Sequence, residues 1–294
     1  MLIHKPEDIQ EVLVSATRVL GTTMPYREAR LQAELLLAHT LETTRAMVLA
    51  RLNETISPEL AAPYAANVAR RAQHEPLAYI LGHQEFYGLD FVVDRRVLIP
   101  RRETEMLVLL ALQRVQSAPR TSPVIVDIGT GSGAVSLALA HHLPSARIIA
   151  TDISVDALAV AQLNAARLNL AEHVTFVQGD LLAPVAEPFD ILVSNPPYIP
   201  RERFKDLPRE IRVFEPRHAL DGGEDGFDVI RRLLAQLEPH AARGAVAFVE
   251  ISEEQGKTAL ELVARQLPGA AAVVHRDLED LDRVVEVKLP FRMS

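Results

Sequence analysis

The stretch VIVDIGTGSG, from Val124 to Gly133, decides the fold that this sequence predicts. Its β-branched first half indicates a buried strand, and the alanine- and leucine-rich segment from Ala134 to His142 indicates a helix after the glycines. Glycines between a strand and a helix let the backbone turn tightly and approach a ligand, and the free N–H groups at the helix start favour a carboxylate or phosphate. The stretch therefore predicts a nucleotide-type binding turn.

The spacing of the glycines narrows the choice of ligand. The pattern is G-x-G-x-G, whereas dinucleotide enzymes use G-x-G-x-x-G, so the spacing favours S-adenosylmethionine over NAD. No Lys-Ser or Lys-Thr pair follows the glycines, which excludes a Walker loop. The centre of G-T-G-S-G is Gly131 and not a serine, which excludes a nucleophile elbow.

Strand and helix patterns alternate from this turn onward. Predicted strands cover 124–128, 146–151, 173–178, 189–194, 245–251, 271–275 and 284–289, and predicted helices cover 133–142, 154–168, 225–239 and 253–266. Such alternation predicts an α/β fold with a doubly wound, mostly parallel seven-stranded sheet. The last strands are expected to form an antiparallel hairpin at the edge of the sheet.

The region before the turn has a different pattern. Predicted helices cover 6–20, 25–41, 44–51 and 57–74 without a convincing strand, which indicates a small all-α domain. Alternating and apolar runs at Glu85–Val93 and Val97–Ile99, separated by Asp94-Arg95-Arg96, suggest a hairpin. We therefore expect a helical domain at 1–80, a β-hairpin linker at 81–103 and a domain that binds S-adenosylmethionine at 104–294.

Two acidic residues end apolar runs that follow the glycines. Asp152 lies roughly 20 residues beyond them, the distance at which an acid reaches ribose hydroxyls in doubly wound folds. Asp180 ends the next predicted strand and is placed to bond an adenine amino group. Either residue, taken alone, is also compatible with a helix N-cap or a solvated loop charge.

The tetrapeptide Asn195-Pro196-Pro197-Tyr198 follows a run, 189–194, that indicates a buried strand. An Asn side-chain oxygen and a backbone carbonyl can accept both N–H groups of a planar NH₂ group, and this arrangement favours positive charge building on its nitrogen. Consecutive prolines fix the backbone before a substrate arrives, and Tyr198 offers a flat face or a hydroxyl. The tetrapeptide alone is also compatible with an ordinary proline-rich turn.

Composition excludes several functions. The chain has 294 residues, 48% of them hydrophobic, and no cysteine, so disulfide scaffolds, cysteine-ligated zinc and thiol nucleophiles are excluded. The histidines lack metal-ligand spacing, and no metal site is expected. A net charge of −8 argues against sequence-specific nucleic-acid binding, and the absence of a long uncharged stretch argues against the membrane. We expect a cytoplasmic protein.

Several motifs together resemble one family, the peptide chain release factor glutamine methyltransferases (PrmC, also called HemK). They are Pro76–Gly82, Glu85–Gly88, Val97–Arg101, Asp127–Gly133, Asn195–Ile199 and Phe214–Pro216. The resemblance implies a class I methyltransferase fold with a helical substrate-recognition domain. It implies methyl transfer from S-adenosyl-L-methionine to the side-chain amide nitrogen of the glutamine in the Gly-Gly-Gln motif of class 1 release factors, which are the expected partners.

The resemblance also implies roles for single residues. The residues expected to line the cofactor are Gly129, Thr130, Gly131, Ser132, Gly133, Asp152, Asp180, Leu181 and Asn195. The residues expected to hold the glutamine amide are Asn195, Pro196, Pro197 and Tyr198, and the catalytic ones among them are Asn195, Pro196 and Tyr198. Two positions depart from the family pattern: Arg102 replaces a usual proline, and Leu181 replaces an aromatic residue that some relatives place against the adenine.

Other functions remain open at this stage. An adenine amino methyltransferase uses the same clamp but must extract a base from its stack, which the acidic net charge disfavours. A sister family that methylates a ribosomal-protein glutamine also shares the clamp, although the runs Glu85–Gly88 and Phe214–Pro216 favour release factors. A non-catalytic binding module that keeps the fold is a further alternative.

Overall fold

The computed structural model describes residues 8–117 and 121–290. Within this part the chain divides into two compact units. One extends to Gly82 and also takes in Pro208–Phe214, and the other comprises His83–Leu207 and the chain from Glu215 onward. Of the predicted linker 81–103, the part from His83 onward lies in the second unit, and residues 81 and 82 lie in the first.

The first unit is built from helices. They are α1 (Ile9–Leu20), α2 (Tyr26–Thr40), α3 (Arg45–Ala50), α4 (Pro58–Ala72) and α5 (Leu77–Leu81). Asp8 caps α1, since its Oδ1 accepts the Glu11 N–H at 2.7 Å, and Thr44 caps α3. Residues 6 and 7 of the first predicted helix lie outside the described residues. The short helix α5 was not predicted, because five residues are too few to show a helical period.

The second unit begins with a hairpin and contains the sheet. Its strands are β1 (His83–Phe86), β2 (Leu89–Val92), β3 (Val124–Ile128), β4 (Arg147–Asp152), β5 (Val174–Gln178), β6 (Phe189–Ser194), β7 (Ala241–Glu250), β8 (Ala271–Arg276) and β9 (Asp282–Lys288). In the described part, β3 to β9 form one seven-stranded sheet in the order β5-β4-β3-β6-β7-β9-β8. Only β9 runs antiparallel to its neighbours β7 and β8. The predicted doubly wound, mostly parallel sheet is confirmed.

Helices cover both faces of this sheet. They are α6 (Glu105–Ser117), α7 (Ala134–His142), α8 (Val155–Arg167), α10 (Asp228–His240) and α11 (Gly256–Gln266); α9 (Arg209–Phe214) belongs to the first unit. Alternate residues of the central strands point to opposite faces, so Ile125 packs in the core with Leu137 of α7, and Val126 packs in the core with Leu233 of α10. Both faces are therefore buried, as expected for a parallel sheet.

Part of the segment between β6 and the predicted helix at 225–239, which carried no predicted element, is helical. It contains 3₁₀ turns at Arg201–Asp206 and Arg217–Ala219 in addition to α9. Strand β7 also begins four residues earlier than predicted, at Ala241. A bulge explains the difference: the register with β6 shifts after Phe189, next to Gly244, whose φ is 73°.

Asn164 fixes the hairpin to the glycine turn. Its side chain is fully buried, its Oδ1 accepts the Val92 N–H at 2.7 Å, and its Nδ2 donates to the carbonyls of Val92 (3.0 Å) and Ser132 (2.9 Å). Strand β2 is thus held against the start of the binding turn by one side chain. Across residues 8–117 and 121–290, no helix is long and apolar enough to cross a bilayer.

Candidate active site

The glycine turn at the end of β3 has the backbone geometry that only glycine adopts easily. Gly129, Gly131 and Gly133 have φ values of 71°, 57° and 82°. The N–H groups of Gly129 and Thr130 both donate to the Thr151 carbonyl, at 2.8 and 2.9 Å, which ties the turn to β4. The turn is therefore preformed in the chain itself.

Asp127, in strand β3, holds this turn by hydrogen bonds. Its Oδ2 accepts the Thr130 hydroxyl at 2.6 Å and the Ser136 N–H at 3.2 Å. Burial raises the pKa of Asp127 to about 6, and the hydrogen bonds from Thr130 and Ser136 oppose this shift. The Thr130 side chain is thus directed at Asp127, while the Ser132 carbonyl accepts from Asn164.

A cavity of about 250 Å³ lies at the carboxyl ends of β3 to β6. This is where ligands bind in open parallel sheets. The residues predicted for the site that line the cavity are Gly129, Gly131, Asp152, Asp180, Leu181, Asn195, Pro196 and Pro197. Those that do not line it are Thr130, Ser132, Gly133 and Tyr198. The structure therefore brings the turn, both acids and most of the tetrapeptide to one place.

Asp152 is held rigidly at this cavity. Its Oδ2 accepts the Gly131 N–H and its Oδ1 accepts the Ser154 N–H, each at 2.9 Å. The N-cap of α8 is Ser154, whose hydroxyl oxygen accepts from Ala157, so Asp152 is not the helix cap. Each carboxylate oxygen keeps a further acceptor position, which suits a pair of hydroxyl donors.

Asp180 and Leu181 lie side by side after β5. Asp180 forms an ion pair with Arg232 of α10, and its side chain is half-exposed. Leu181 is buried, has a φ of 54°, and its carbonyl accepts the Thr151 hydroxyl at 3.1 Å. The sequence did not indicate Arg232 as a partner, because a salt bridge between distant segments leaves no local pattern.

The tetrapeptide begins directly after β6. The Asn195 Nδ2 donates to the Thr104 Oγ1 at 3.0 Å, and Pro196 is buried beside it. Among the residues that the structure describes, none donates a hydrogen bond to the Asn195 Oδ1 or to the Pro196 carbonyl. Both acceptors that the sequence predicts for an NH₂ group therefore lack a partner within the chain.

Tyr198 points into the protein. Its hydroxyl donates to the Glu250 Oε1 at 3.3 Å, and its carbonyl accepts from the Gln255 Nε2 at 3.1 Å. Burial raises the pKa of Tyr198, so the hydroxyl remains a hydrogen-bond donor. A direct contact of Tyr198 with a substrate stays a prediction.

Known proteins share this architecture and its sequence. Residues 11–82 match the PrmC N-terminal domain and residues 106–215 match the methyltransferase small domain. A release factor glutamine methyltransferase of Moorella thermoacetica is 48% identical over 234 residues, which are 79% of this chain and 82% of the relative. Another, of Geobacter sulfurreducens, is 42% identical over 287 residues, 97% of this chain and 98% of the relative. This chain belongs to the release factor glutamine methyltransferase family.

The resemblance drawn from the motifs is thus confirmed. Similarity in fold extends further, to a crystal structure of a methyltransferase from Pyrococcus furiosus. That protein is 17% identical, with a TM-score of 0.51 over 80% of this chain and 100% of its own. At this identity the match shows the fold alone.

Sequence reasoning missed other residues that line the cavity. They are Arg96, Val97, Leu98, Ile153, His218 and Arg232, among others. Ile153 carried a signal: it is apolar, directly follows the acid at the end of β4, and is 63% exposed. An exposed isoleucine beside a ligand cavity can be covered when a flat apolar ligand binds.

Glu215 joins two walls of the cavity. Its buried carboxylate pairs with Arg101 and accepts the Ile99 N–H at 3.2 Å. The segment before Arg101 supplies Val97 and Leu98 to the cavity, and the segment after Glu215 supplies Pro216 and His218. In this family member the motifs Val97–Arg101 and Phe214–Pro216 are therefore linked by one carboxylate.

The acidic, glycine-rich loop at 221–226 lies beside the tetrapeptide. Its Gly222, Gly223 and Gly226 are buried, whereas Glu224 and Asp225 are exposed. The Gly222 N–H donates to the Ile199 carbonyl at 3.0 Å, and a Cβ on Gly226 would clash with the Tyr198 carbonyl oxygen. The loop packs against the tetrapeptide, where side chains do not fit.

Proposed function

We propose that this chain transfers a methyl group from S-adenosyl-L-methionine to the side-chain amide nitrogen of the glutamine in the Gly-Gly-Gln motif of class 1 release factors. One observation carries the proposal: unpartnered amide-type acceptors, the Asn195 Oδ1 and the Pro196 carbonyl, border the same cavity as the glycine turn and Asp152. Family membership supports the acceptor and the cofactor.

The residues around the cavity fit the cofactor. Gly129 and Gly131 line it without side chains, and no heavy atom lies within 4 Å of a Cβ built on Gly131, so the turn leaves room for a ligand. Asp152 offers acceptor positions for ribose hydroxyls, and Asp180 for an amino group. S-adenosyl-L-methionine supplies an electrophilic methyl group on sulfur.

The chain has to make a poor nucleophile react. The lone pair of an amide nitrogen is delocalised, and attack requires that the nitrogen be positioned and the charge that develops on it be stabilised. The Asn195 Oδ1 and the Pro196 carbonyl accept the two N–H groups and so fix the plane of the amide. Holding the nitrogen in line with the methyl group can lower the barrier by roughly 7 to 11 kcal/mol.

Proton transfer needs no dedicated base. As the new C–N bond forms and the C–S bond breaks, the amide nitrogen becomes cationic and strongly acidic. The two carbonyl-type acceptors stabilise its N–H groups until one proton leaves to water.

The acceptor assay tests the proposal directly. The purified chain is incubated with methyl-labelled S-adenosyl-L-methionine and, separately, a class 1 release factor, a ribosomal protein with methylatable glutamine, and adenine-containing nucleic acid. We expect label on the release factor, located by mass spectrometry at the Gly-Gly-Gln glutamine. The matched control is the same release factor with that glutamine replaced by glutamate. Label on the ribosomal protein or the nucleic acid alone would contradict the proposal.

A further inference from the structure

Glu250 is a buried carboxylate that the proposed chemistry leaves without a role. It ends β7, is 1% exposed, and its Oε2 has no hydrogen-bond partner among the residues that the structure describes. An unsatisfied buried polar atom is costly and is rarely kept without a function. Its other oxygen, Oε1, accepts the Tyr198 hydroxyl at 3.3 Å.

Thr104 supports the other end of the tetrapeptide. It is 5% exposed, directly precedes α6, and its Oγ1 accepts the Asn195 Nδ2 at 3.0 Å. The Thr104 hydroxyl also favours the ionised form of Glu250 and lowers the pKa of that carboxyl. Thr104, just before α6, therefore binds the Asn195 end of the tetrapeptide, and Glu250, at the end of β7, binds its Tyr198 end.

We propose that Thr104 and Glu250 are positioning residues that orient the Asn195 side chain for methyl transfer. The side-chain amide of Asn195 can be turned in two ways, with either its oxygen or its NH₂ group towards Thr104. Because Nδ2 donates to Thr104, Oδ1 is on the opposite side and can accept a hydrogen bond from the substrate. Glu250 holds Tyr198, and through it the backbone that follows the prolines. The inference deepens the proposed function and rests on it, because it assigns the support of the same clamp.

Ionisation of Glu250 should make turnover depend on pH, and this dependence can be measured. Burial raises the pKa of this carboxyl to about 7; Thr104, Arg283 of β9 and Tyr198 lower it, and Glu103 raises it. The ionised carboxylate can only accept hydrogen bonds, as its Oε1 does from the Tyr198 hydroxyl, whereas the protonated acid can also donate one. The clamp is therefore held best above the pKa, and turnover should rise with pH through about 7.

The first test compares two substitutions of Thr104. Thr104→Val keeps the shape and removes the hydroxyl, and we expect kcat to fall by up to about 100-fold because the amide is no longer fixed. Thr104→Ser restores the hydroxyl and should regain most of this loss. Cofactor affinity, measured by calorimetry, should stay close to that of the unsubstituted chain in both variants.

The second test removes the charge at position 250. Glu250→Gln should lower kcat and abolish its rise near neutral pH. The control is Glu286→Gln in β9, a buried sheet glutamate whose partners are His275 and Lys288, and it should leave the pH profile unchanged. If Thr104→Val does not fold, the pH profile of Glu250→Gln decides the question alone.

Two results would overturn the inference: full kcat in Thr104→Val, or a rise through neutral pH that survives in Glu250→Gln. Failure of the proposed function looks different. In that case the unsubstituted chain labels an acceptor other than the release factor, and the same variants can then be compared on the acceptor that takes the label.

Discussion

Asp152 combines a structural and a ligand-binding position in one side chain. Both of its oxygens accept backbone N–H groups, from Gly131 and Ser154, and it also borders the cavity. Asp152→Ala removes the carboxylate that is expected to accept the ribose hydroxyls of the cofactor, and it leaves the Gly131 N–H without its hydrogen-bond acceptor. Loss of a hydrogen bond to a charged group is worth about 1.5–3 kcal/mol, so cofactor affinity should fall about 10- to 100-fold.

Calorimetric titration with S-adenosyl-L-methionine measures this loss. Asp156→Ala is the matched control, because Asp156 is an exposed acid in the first turn of α8 and does not line the cavity. Equal affinity in the two variants would show that Asp152 has no part in cofactor binding.

For single residues, the sequence indicated which of them lie at the cavity, but it did not indicate which contacts their side chains make. Asp152, Asp180 and Asn195 were assigned to the site because each lies at or just after the end of a strand pattern, and the ends of parallel strands meet at one edge of a sheet, where all three line the cavity. Thr130 was assigned to the cofactor for its place in the glycine run, yet its hydroxyl bonds Asp127. Which way a short polar side chain turns depends on a buried partner that the local pattern does not reveal.

The start of helix α7 depends on a glycine, Gly133. Gly133 has a φ of 82°, and a Cβ there would lie 3.0 Å from the Leu137 Cδ1 and 3.2 Å from the Ala161 Cβ. Gly88, in the hairpin, has a φ of 78° and no heavy atom within 4 Å of its Cβ position. Both glycines have a positive φ but only Gly133 is crowded, so alanine substitutions at the two positions separate the cost of backbone strain from the cost of crowding.

We expect Gly133→Ala to lower the free energy of unfolding by more than Gly88→Ala does. Strain at positive φ costs of order 1–3 kcal/mol in either variant, and crowding adds about 1–3 kcal/mol at Gly133 alone. Urea unfolding of both variants measures the difference. Equal losses would mean that Leu137 and Ala161 move aside and that α7 is not tightly packed at its start.

Elements with a clear pattern of apolar residues were predicted, and the short helices α5 and α9, which lack one, were not. Strands β3, β4 and β6 coincide with runs of β-branched or large apolar residues, and the structure places all three in the interior of the sheet, away from its edge strands. The helix α9 lacks such a pattern and is fixed by tertiary contacts, since Glu210 forms an ion pair with the buried Arg71 of α4 at 3.0 Å. A helix that is stabilised by a residue distant in sequence, as α9 is by Arg71, cannot be predicted from the local pattern.

For the whole molecule, buried carboxyl groups set a pH dependence of stability. Burial raises the pKa of Glu250 from 4.5 to about 7 and that of Asp127 from 3.8 to about 6. Between pH 4.5 and about 7 for Glu250, and between pH 3.8 and about 6 for Asp127, the carboxyl group keeps its proton in the folded state but has lost it in the unfolded chain. These groups therefore make the free energy of unfolding fall as pH rises through this window.

Glu250→Gln removes one of these contributions. Relative to the unsubstituted chain, the variant should gain on the order of 3 kcal/mol between pH about 4.5 and pH about 7, because it has no proton to lose. Urea unfolding at several pH values measures the two curves, and the slope due to Asp127 remains in both. Parallel curves would show that folding does not raise the pKa of the Glu250 carboxyl.

The central claim is that Asn195 serves the transfer step and not cofactor binding. The decisive measurement compares Asn195→Ala with the unsubstituted chain in methyl transfer to a release factor and in calorimetric titration with S-adenosyl-L-methionine. We expect kcat to fall about 100- to 1,000-fold, as for loss of one stabilising group in a transition state, while cofactor affinity changes by less than about tenfold. Equal losses in turnover and cofactor affinity would contradict the account.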